Sequence, residues 1–456
     1  MAEPIISVSG LRGVVGETLT PEVALRYAAA FAAIAPPGGI LVSRDGRSSG
    51  RMLAEAIHAG LHAVGRNTVD VGILATPTTG VLVRHCQVAG AIQITASHNP
   101  APFNGLKLFG AEGRVIPAAP GEEVLRRYRA GPPEWVAHDQ VGARAEFPDT
   151  LSAHCDAVLA TIDVDRIRRR RYRVVLDSNH GAGGALGRRL LEELGCRLTV
   201  LGETPHGRFA HTPEPTAENL AGVLASVPQL QADIGFCQDP DADRLAVIDE
   251  SGRYLGEEYT LALCVDHVLR RRKGPIVTNC SSSRMSQDVA QRYGVPLVRS
   301  AVGEANVVDA MLKHQAVFGG EGNGGPIDPS VGLVRDSFVG MALLLDAMAE
   351  RDRKISQLAD ALPRYEIVKT KISVPRERVA AALDALEAHF RDAAADHGGR
   401  SPRLVPHGRR GDRGIVFSFA PLRFLLFHSD FRVSVFRLMA LFSRPFRRVR
   451  ILKTEH

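Results

Sequence analysis

One plan is written three times along this chain: an apolar, β-rich run, then a polar or glycine-rich loop, then a helix-like stretch. Ile40-Leu41-Val42-Ser43 leads into Arg44-Asp45-Gly46-Arg47, Val174-Val175-Leu176-Asp177 into Ser178 to Gly184, and Pro275-Ile276-Val277-Thr278 into Asn279 to Arg284. Continuous apolar strands alternating with helices argue for mixed or parallel sheets covered by helices. The chain is therefore read as α/β, with three successive similar units whose strand-end loops are the expected ligand positions. Its 456 residues leave room for a fourth unit.

Local punctuation places the boundaries. Gly131-Pro132-Pro133 and a helix-like 149–163 lead out of the first unit, Glu250-Ser251-Gly252 closes the second, and the third ends near Pro363. The expected domains are 1–150, 151–253, 254–365 and 366–456. The last opens with a strand-like Tyr365 to Val374 and a helix-like Arg378 to Phe390.

Composition removes several classes. With 45% apolar residues the chain can bury substantial cores, which rules out disorder over most of its length. No stretch approaches the roughly 18 uncharged apolar residues of a membrane span, and no basic patch followed by an apolar run marks a signal peptide. Six scattered cysteines without a C-x-x-C pair suit neither zinc nor a disulfide framework, so a cytoplasmic protein is expected. The net charge of +6 is misleading, because residues 401–456 hold 12 of the 56 Lys and Arg but only 3 of the 50 Asp and Glu. The first 400 residues therefore carry 44 basic against 47 acidic groups, a net of −3. A nucleic-acid partner is not expected, and Arg168 to Arg171 and Arg270 to Lys273 read as solvated helix ends.

Two loops concentrate chemistry. Thr95-Ala96-Ser97-His98-Asn99-Pro100 follows the apolar run Ala91 to Ile94 and exposes a hydroxyl in a Pro-terminated loop. A Ser-His-Asp hydrolase fails here: there is no G-x-S-x-G elbow, and adjacent Ser and His rarely align as nucleophile and base. The Ser97 hydroxyl is instead a candidate carrier of a phosphoryl group. In Asp239-Pro240-Asp241-Ala242-Asp243-Arg244, alternate residues of an extended loop point the same way, so three carboxylates converge. They suit Mg²⁺ or Ca²⁺. An EF-hand is excluded, since Arg244 stands where that loop needs Gly and the flanks Ala232 to Phe236 and Leu245 to Asp249 read as strands. Arg244 beside the carboxylates suits a phosphate contact near the metal.

Three weaker loops complete the set. Gly319 to Gly325 is glycine-dense but lacks a P-loop ending, with Glu321 and Asn323 as candidate partners for sugar hydroxyls. Ser9-Gly10-Leu11-Arg12-Gly13 and Asn104-Gly105-Leu106-Lys107 each present one cation in a Gly-containing loop.

Together these stretches resemble the α-D-phosphohexomutase family. Ser9 to Gly13 is similar to its S-G-x-R-G motif, Thr95 to Pro100 to its phosphoserine loop T-A-S-H-N-P, Asp239 to Arg244 to its metal loop D-P-D-x-D-R, and Gly320 to Gly325 to its sugar loop G-E-x-S-G-H. Order and spacing match across residues 5–390. The resemblance implies three similar α/β domains with mixed sheets around a central cleft, plus a smaller α+β C-terminal domain. It implies that Ser97 carries a phosphoryl group and exchanges it with a hexose phosphate through a bisphosphate intermediate. One Mg²⁺ per chain would be held by Asp239, Asp241, Asp243 and a phosphate oxygen on Ser97, with hexose 1,6-bisphosphate as activator. Arg244 and Arg12 would stabilise the transferring charge, Lys107, His98 or both would handle the hydroxyl proton, and Glu321, Gly322 and Asn323 would meet the sugar. Arg44 and Arg47 read either as contacts behind these or as surface arginines. A cytoplasmic monomer or homodimer is expected.

Two departures bear on function. The sugar loop reads G-E-G-N-G-G, so Asn323 and Gly325 replace the motif's Ser and His. The preferred substrate is glucosamine phosphate, with phosphomannomutase/phosphoglucomutase activity as the alternative. The second departure is the absence of an R-x-S-[GN]-T-E-P phosphate loop in the fourth domain; from about residue 398 the chain turns Arg-, Phe- and Leu-rich, with 8 of its 17 Phe after residue 416. A frameshift near residue 400, in the gene or in its sequencing, is the expected cause, with a genuine basic-apolar tail binding anionic membrane as the rival. The rival functions that follow are an impaired sugar-phosphate binder and a leaky Mg²⁺-dependent phosphatase.

Overall fold

The computed structural model describes residues 4–7 and 10–365, and the backbone of three further strands at 368–372, 403–407 and 415–420. Ser9 and the residues around the expected frameshift lie outside these. The chain divides into two compact units, residues 1–363 and 364–456.

The first unit holds three sheets. The first sheet comprises β1 (Ile5–Ser7), β2 (Gly10–Val14), β3 (Ile40–Arg44), β4 (Thr68–Ile73), β5 (Gly90–Ile94), β6 (Phe103–Gly110) and β7 (Arg144–Glu146), in the order β1-β2-β6-β5-β3-β4-β7. The second comprises β8 (Arg173–Asp177), β9 (Arg197–Leu201), β10 (Ile234–Gln238) and β11 (Leu245–Asp249), ordered β11-β10-β8-β9. The third comprises β12 (Ile276–Asn279), β13 (Leu297–Ser300), β14 (Phe318–Glu321) and β15 (Gly325–Ile327), ordered β15-β14-β12-β13.

The three orders superimpose. Each sheet has a parallel trio (β5-β3-β4, β10-β8-β9, β14-β12-β13) flanked by one antiparallel strand (β6, β11, β15). That flanking strand always follows its neighbour through a hairpin. The loops of these three hairpins are Thr95–Pro102, Asp239–Arg244 and Gly322–Gly324, the stretches singled out by their chemistry. One architectural position is thus used three times.

The apolar strand runs are continuous because both faces of the sheets are covered. Ile40, Val42, Ile92 and Ile94 join one core with Tyr27, Phe31, Leu53 and Leu61, whereas the intervening Leu41 and Ala91 join another with Leu82, Val83 and Phe109. Helix Pro21–Ala32 starts where its sequence says it should: Thr20 caps the Val23 N–H, Pro21 occupies the first turn and Glu22 complements the dipole. Helix Ser337–Arg351 is buried along nearly its whole length and is capped by Asp336, which accepts from the Phe338 and Val339 N–H groups.

The arginine clusters are exposed helix ends, as expected: Arg168, Arg169 and Arg170 close helix Val164–Arg170, and Arg270 and Arg271 close helix Glu257–Arg271. Arg270 and Arg271 pair with Glu350, Arg271 reaches buried Asp346, and Arg170 pairs with Asp352. The sequence hid this because the acids lie on a distant helix. Among the described residues no helix is long and apolar enough to cross a membrane, and all six cysteines are free.

The second unit contains one antiparallel sheet of β16 (Val368–Ile372), β17 (Arg403–His407) and β18 (Ile415–Ala420), ordered β16-β18-β17.

Candidate active site

Ser97 leaves β5 in a left-handed backbone conformation, φ 51°, which few non-glycine residues adopt. A buried network holds it there. The Thr95 hydroxyl accepts the Ser97 N–H at 2.9 Å and donates to Asp45 Oδ2 at 2.7 Å. Asp45 also takes Arg47 Nε at 3.0 Å, and the Arg47 guanidinium donates to the carbonyls of Ser97, Asn99, Pro100 and Phe103. Arg47 is therefore a buried staple of the serine loop. Sequence reading left open whether it was a surface residue. Arg44, at the end of β3, shows no such contact and is half-buried.

The Ser97 hydroxyl donates to Asp239 Oδ2 at 2.8 Å and lies 3.4 Å from His98 Nδ1. Asp239, Asp241 and Asp243 are fully buried, with ligand atoms within 4.8 Å of one another. The tight β10–β11 hairpin turns at Ala242, whose φ is +56°. One oxygen of each outer carboxylate is oriented by the protein. Asp241 Oδ2 accepts from Thr76 at 2.7 Å and Lys107 at 3.2 Å; Asp243 Oδ2 accepts from Lys107 at 2.9 Å and Arg335 at 2.5 Å. The other oxygens, Asp241 Oδ1 and Asp243 Oδ1, are buried and accept no hydrogen bond. Such unspent oxygens are costly unless something else uses them. A converging set of hard oxygens fits Mg²⁺ or Ca²⁺.

Protonation follows the same logic. Burial, reinforced by Asp241 and Asp243, pushes the Asp239 carboxyl well above the usual range. Burial and Asp243 push Asp241 up too, but Lys107, Thr76 and Asp239 outweigh them and hold it low. For Asp243, burial is overcome by Arg335, Lys107 and Arg244, and its carboxyl falls far below the usual range. Burial alone would lower Lys107, yet Asp243, Asp241 and Glu304 reverse this and keep its ammonium charged.

The remaining expected residues take these places. Arg12 on β2 pairs across the sheet with Gly105, whose missing side chain leaves room for the Arg12 stem. Arg244 donates its backbone N–H to Asp239 Oδ1 at 3.1 Å, and its Nε is 3.9 Å from Asp243 Oδ1. Glu321 is buried, with Oε1 taking Asn279 Nδ2 at 2.6 Å and the Gly303 N–H at 3.2 Å. Its Oε2 takes Arg335 at 2.9 Å and Asn323 Nδ2 at 3.5 Å. The Gly322 N–H donates to Ser282 Oγ at 2.9 Å.

Sequence reading missed Thr76, Asp45, Arg335 and the brace behind the acidic loop. The Thr76 N–H donates to the Asp241 carbonyl at 2.9 Å, and the Ser337 hydroxyl donates to the Ala242 carbonyl at 2.7 Å. The Asp336 carboxylate, between Arg335 and Ser337, accepts from His154 Nε2 at 2.7 Å, and His154 Nδ1 meets the Thr78 hydroxyl at 2.9 Å. The only local signal was the Asp-Ser cap before an apolar run.

Comparison with known proteins agrees with this geometry. Family models described as phosphoglucomutase/phosphomannomutase, alpha/beta/alpha domains I, II and III, match residues 5–133, 152–252 and 257–365. A Thermococcus kodakarensis protein named phosphoglucomutase/phosphomannomutase is 37% identical over 385 residues, 83% of this chain and 84% of its own. A Pyrococcus abyssi protein named "Probable phosphoglucosamine mutase" is 33% identical over 379 residues, 83% of each chain. Among solved structures, a phosphoglucomutase/phosphomannomutase family protein from Burkholderia thailandensis aligns with a TM-score of 0.79 and 26% identity, covering 96% of this chain and 97% of that one. The open form of the Paramecium phosphoprotein parafusin shares the fold at a TM-score of 0.74 and 16% identity, covering 97% and 95%.

Proposed function

This chain belongs to the phosphoglucomutase/phosphomannomutase family and is a phosphohexomutase, and on that premise we propose that Ser97 carries the phosphoryl group it exchanges. The observation that carries the reading is the 2.8 Å contact between the Ser97 hydroxyl and Asp239, within a triad that keeps two buried oxygens unspent.

In this reading phosphoserine 97 faces the sugar hydroxyl. The bond between phosphorus and Ser97 Oγ breaks as the bond from phosphorus to the sugar oxygen forms, giving a hexose bisphosphate. After reorientation the other phosphoryl group returns to Ser97 Oγ, and the net result is exchange between 6-phosphate and 1-phosphate sugars. Such transfer is governed by positioning and charge neutralisation. Asp239, Asp241, Asp243 and a phosphate oxygen on Ser97 would hold Mg²⁺, which when bound neutralises phosphoryl charge as a Lewis acid. Lys107 stays an ammonium beside two carboxylates, so its role is to donate hydrogen bonds and position the triad. His98, 3.4 Å from Ser97 Oγ, is then the better placed of the two to receive the hydroxyl proton. Arg244 and Arg12 stabilise the charge in transit. Each of the three sheets with its helices acts as one domain, and hexose 1,6-bisphosphate primes the serine. The reducing cytoplasm suits the six free cysteines.

The proposed substrate is glucosamine 6-phosphate. The phosphates of glucose and mannose, which lack the amine, are the second reading, favoured by the relative named for both activities. Phosphorus-31 NMR with Mg²⁺, a trace of hexose 1,6-bisphosphate and each 6-phosphate in turn decides between them. A 1-phosphate signal should grow in at least one tube, fastest for the true substrate, and Ser97→Ala should abolish it. Free phosphate alone would mark a phosphatase, and turnover by Ser97→Ala would remove the phosphoserine.

A further inference from the structure

Arg335 precedes helix Ser337–Arg351 and is 8% exposed, a depth at which arginine needs partners for every nitrogen. Its three nitrogens serve three carboxylates from three parts of the fold. Nη2 donates to Asp243 Oδ2 at 2.5 Å, Nη1 to Glu321 Oε2 at 2.9 Å and Nε to Glu304 Oε2 at 3.3 Å, while its backbone N–H reaches Glu304 Oε1 at 3.2 Å. One rigid fork therefore ties the candidate sugar ligand Glu321 to the candidate metal ligand Asp243.

The path of the side chain is equally specific. A Cβ built on Gly325 would lie 2.8 Å from Arg335 Cγ and 2.9 Å from its Cβ, and closer still to Cδ. The backbone at Gly325 is outside the left-handed region, so conformation does not demand glycine there; the arginine stem does. Position 325 is where the G-E-x-S-G-H pattern carries its histidine. Here that volume is filled from position 335, and the two residues are a matched pair.

We propose that Arg335, seated on Gly325, is a positioning residue that sets the Glu321 carboxylate for the hydroxyl-bearing face of the hexose phosphate. The proposal rests on the mutase reading. Without the fork, Oε2 of Glu321 keeps only the longer contact from Asn323, and the carboxylate is fixed from its Oε1 side alone, by Asn279 and the Gly303 N–H. Glu304 and Asp243 lose a shared partner at the same time, and a lysine, with one nitrogen in place of three, lacks the planar fork that serves all three carboxylates.

The test uses the full chain with Mg²⁺ and three variants: Arg335→Lys, Gly325→Ala and Glu321→Gln. Gly325→Ala matters most, because it displaces the arginine while leaving every charge in place. Arg335→Lys and Gly325→Ala are each expected to raise KM for the preferred hexose 6-phosphate about tenfold, the worth of one charge-assisted hydrogen bond. kcat should change less than KM. Calorimetric affinity for the hexose 6-phosphate should weaken in parallel, while affinity for inorganic phosphate stays within twofold. Adding Gly325→Ala to Glu321→Gln should cost little more, since both act through one carboxylate. Unchanged KM in both variants overturns the proposal. So does an equal loss of hexose phosphate and inorganic phosphate binding together with a fall in Tm, which would make Arg335 a brace only. A parent chain that binds no hexose phosphate breaks the mutase reading and takes the proposal with it.

Discussion

Two clusters in the first unit bring three ligand-type side chains within 4.8 Å of each other, and they are opposites. One is Asp239, Asp241 and Asp243; the other is His267, Asp346 and Glu350. The second is saturated. Asp346 takes Arg166 at 2.6 Å, Arg271 at 2.8 Å and His267 at 3.0 Å, and Glu350 takes Arg270 at 2.9 Å and Arg271 at 2.6 Å. It ties three helices together and has little capacity left for an ion. The first has Lys107, Arg335 and Arg244 beside it, yet leaves two buried oxygens without a donor. Convergence of acids is common to both. What separates a place for a cation from an internal ion-pair tie is the unspent lone pairs.

The sharpest way to break this contrast is to exchange one acid in each cluster. Asp241→Asn should lower mutase kcat/KM by at least about a thousandfold, because a catalytic cation is worth several kcal/mol. The metal-free protein should lose only a little Tm, because relief of the repulsion from Asp243 offsets part of the lost ion pair with Lys107. Asp346→Asn should do the reverse: it leaves buried His267 and the partly exposed Arg166 and Arg271 short of a counter-charge and should cost about 2 to 4 kcal/mol of stability, read by denaturant unfolding, with kcat/KM within twofold of the parent. The smallest effect sharpens the comparison. Mg²⁺ at about a hundred times its Kd should stabilise the parent and Asp346→Asn by about 2.7 kcal/mol, read as a rise in Tm, and leave Asp241→Asn unmoved. Loss of the Mg²⁺ response in Asp346→Asn instead would move the cation to the wrong cluster.

The convergence of the candidate site's residues was legible where it was written locally. Ser97 and the alternating acids of Asp239 to Asp243 each sit within six consecutive residues, and a hairpin loop delivers them to one place. The threefold plan was legible for a similar reason, as each strand–loop–helix passage carries its own apolar run. The remainder depends on pairings that span the chain. Thr76 meets Asp241 across 165 positions, Arg335 meets Asp243 across 92, and Asp45 meets Thr95 across 50. No local pattern distinguishes those residues from ordinary polar ones. The role of Arg47 was obscured in the same way, because a buried staple and a solvated side chain have the same letter.

The brace behind the acidic loop has a consequence for how the protein is made. The hairpin of Asp239 to Asp243 leaves the ribosome well before Arg335 and Ser337 have been translated, since 92 and 95 residues separate the partners. A nascent chain of two domains can form its sheets, but it holds three crowded carboxylates without their clamp. Such a half-made chain has Thr76 and Lys107 beside those carboxylates but not Arg335 or Ser337, so its seat for a cation is only partly braced. The last supports of the acidic loop therefore arrive late in synthesis, when helix Ser337–Arg351 docks.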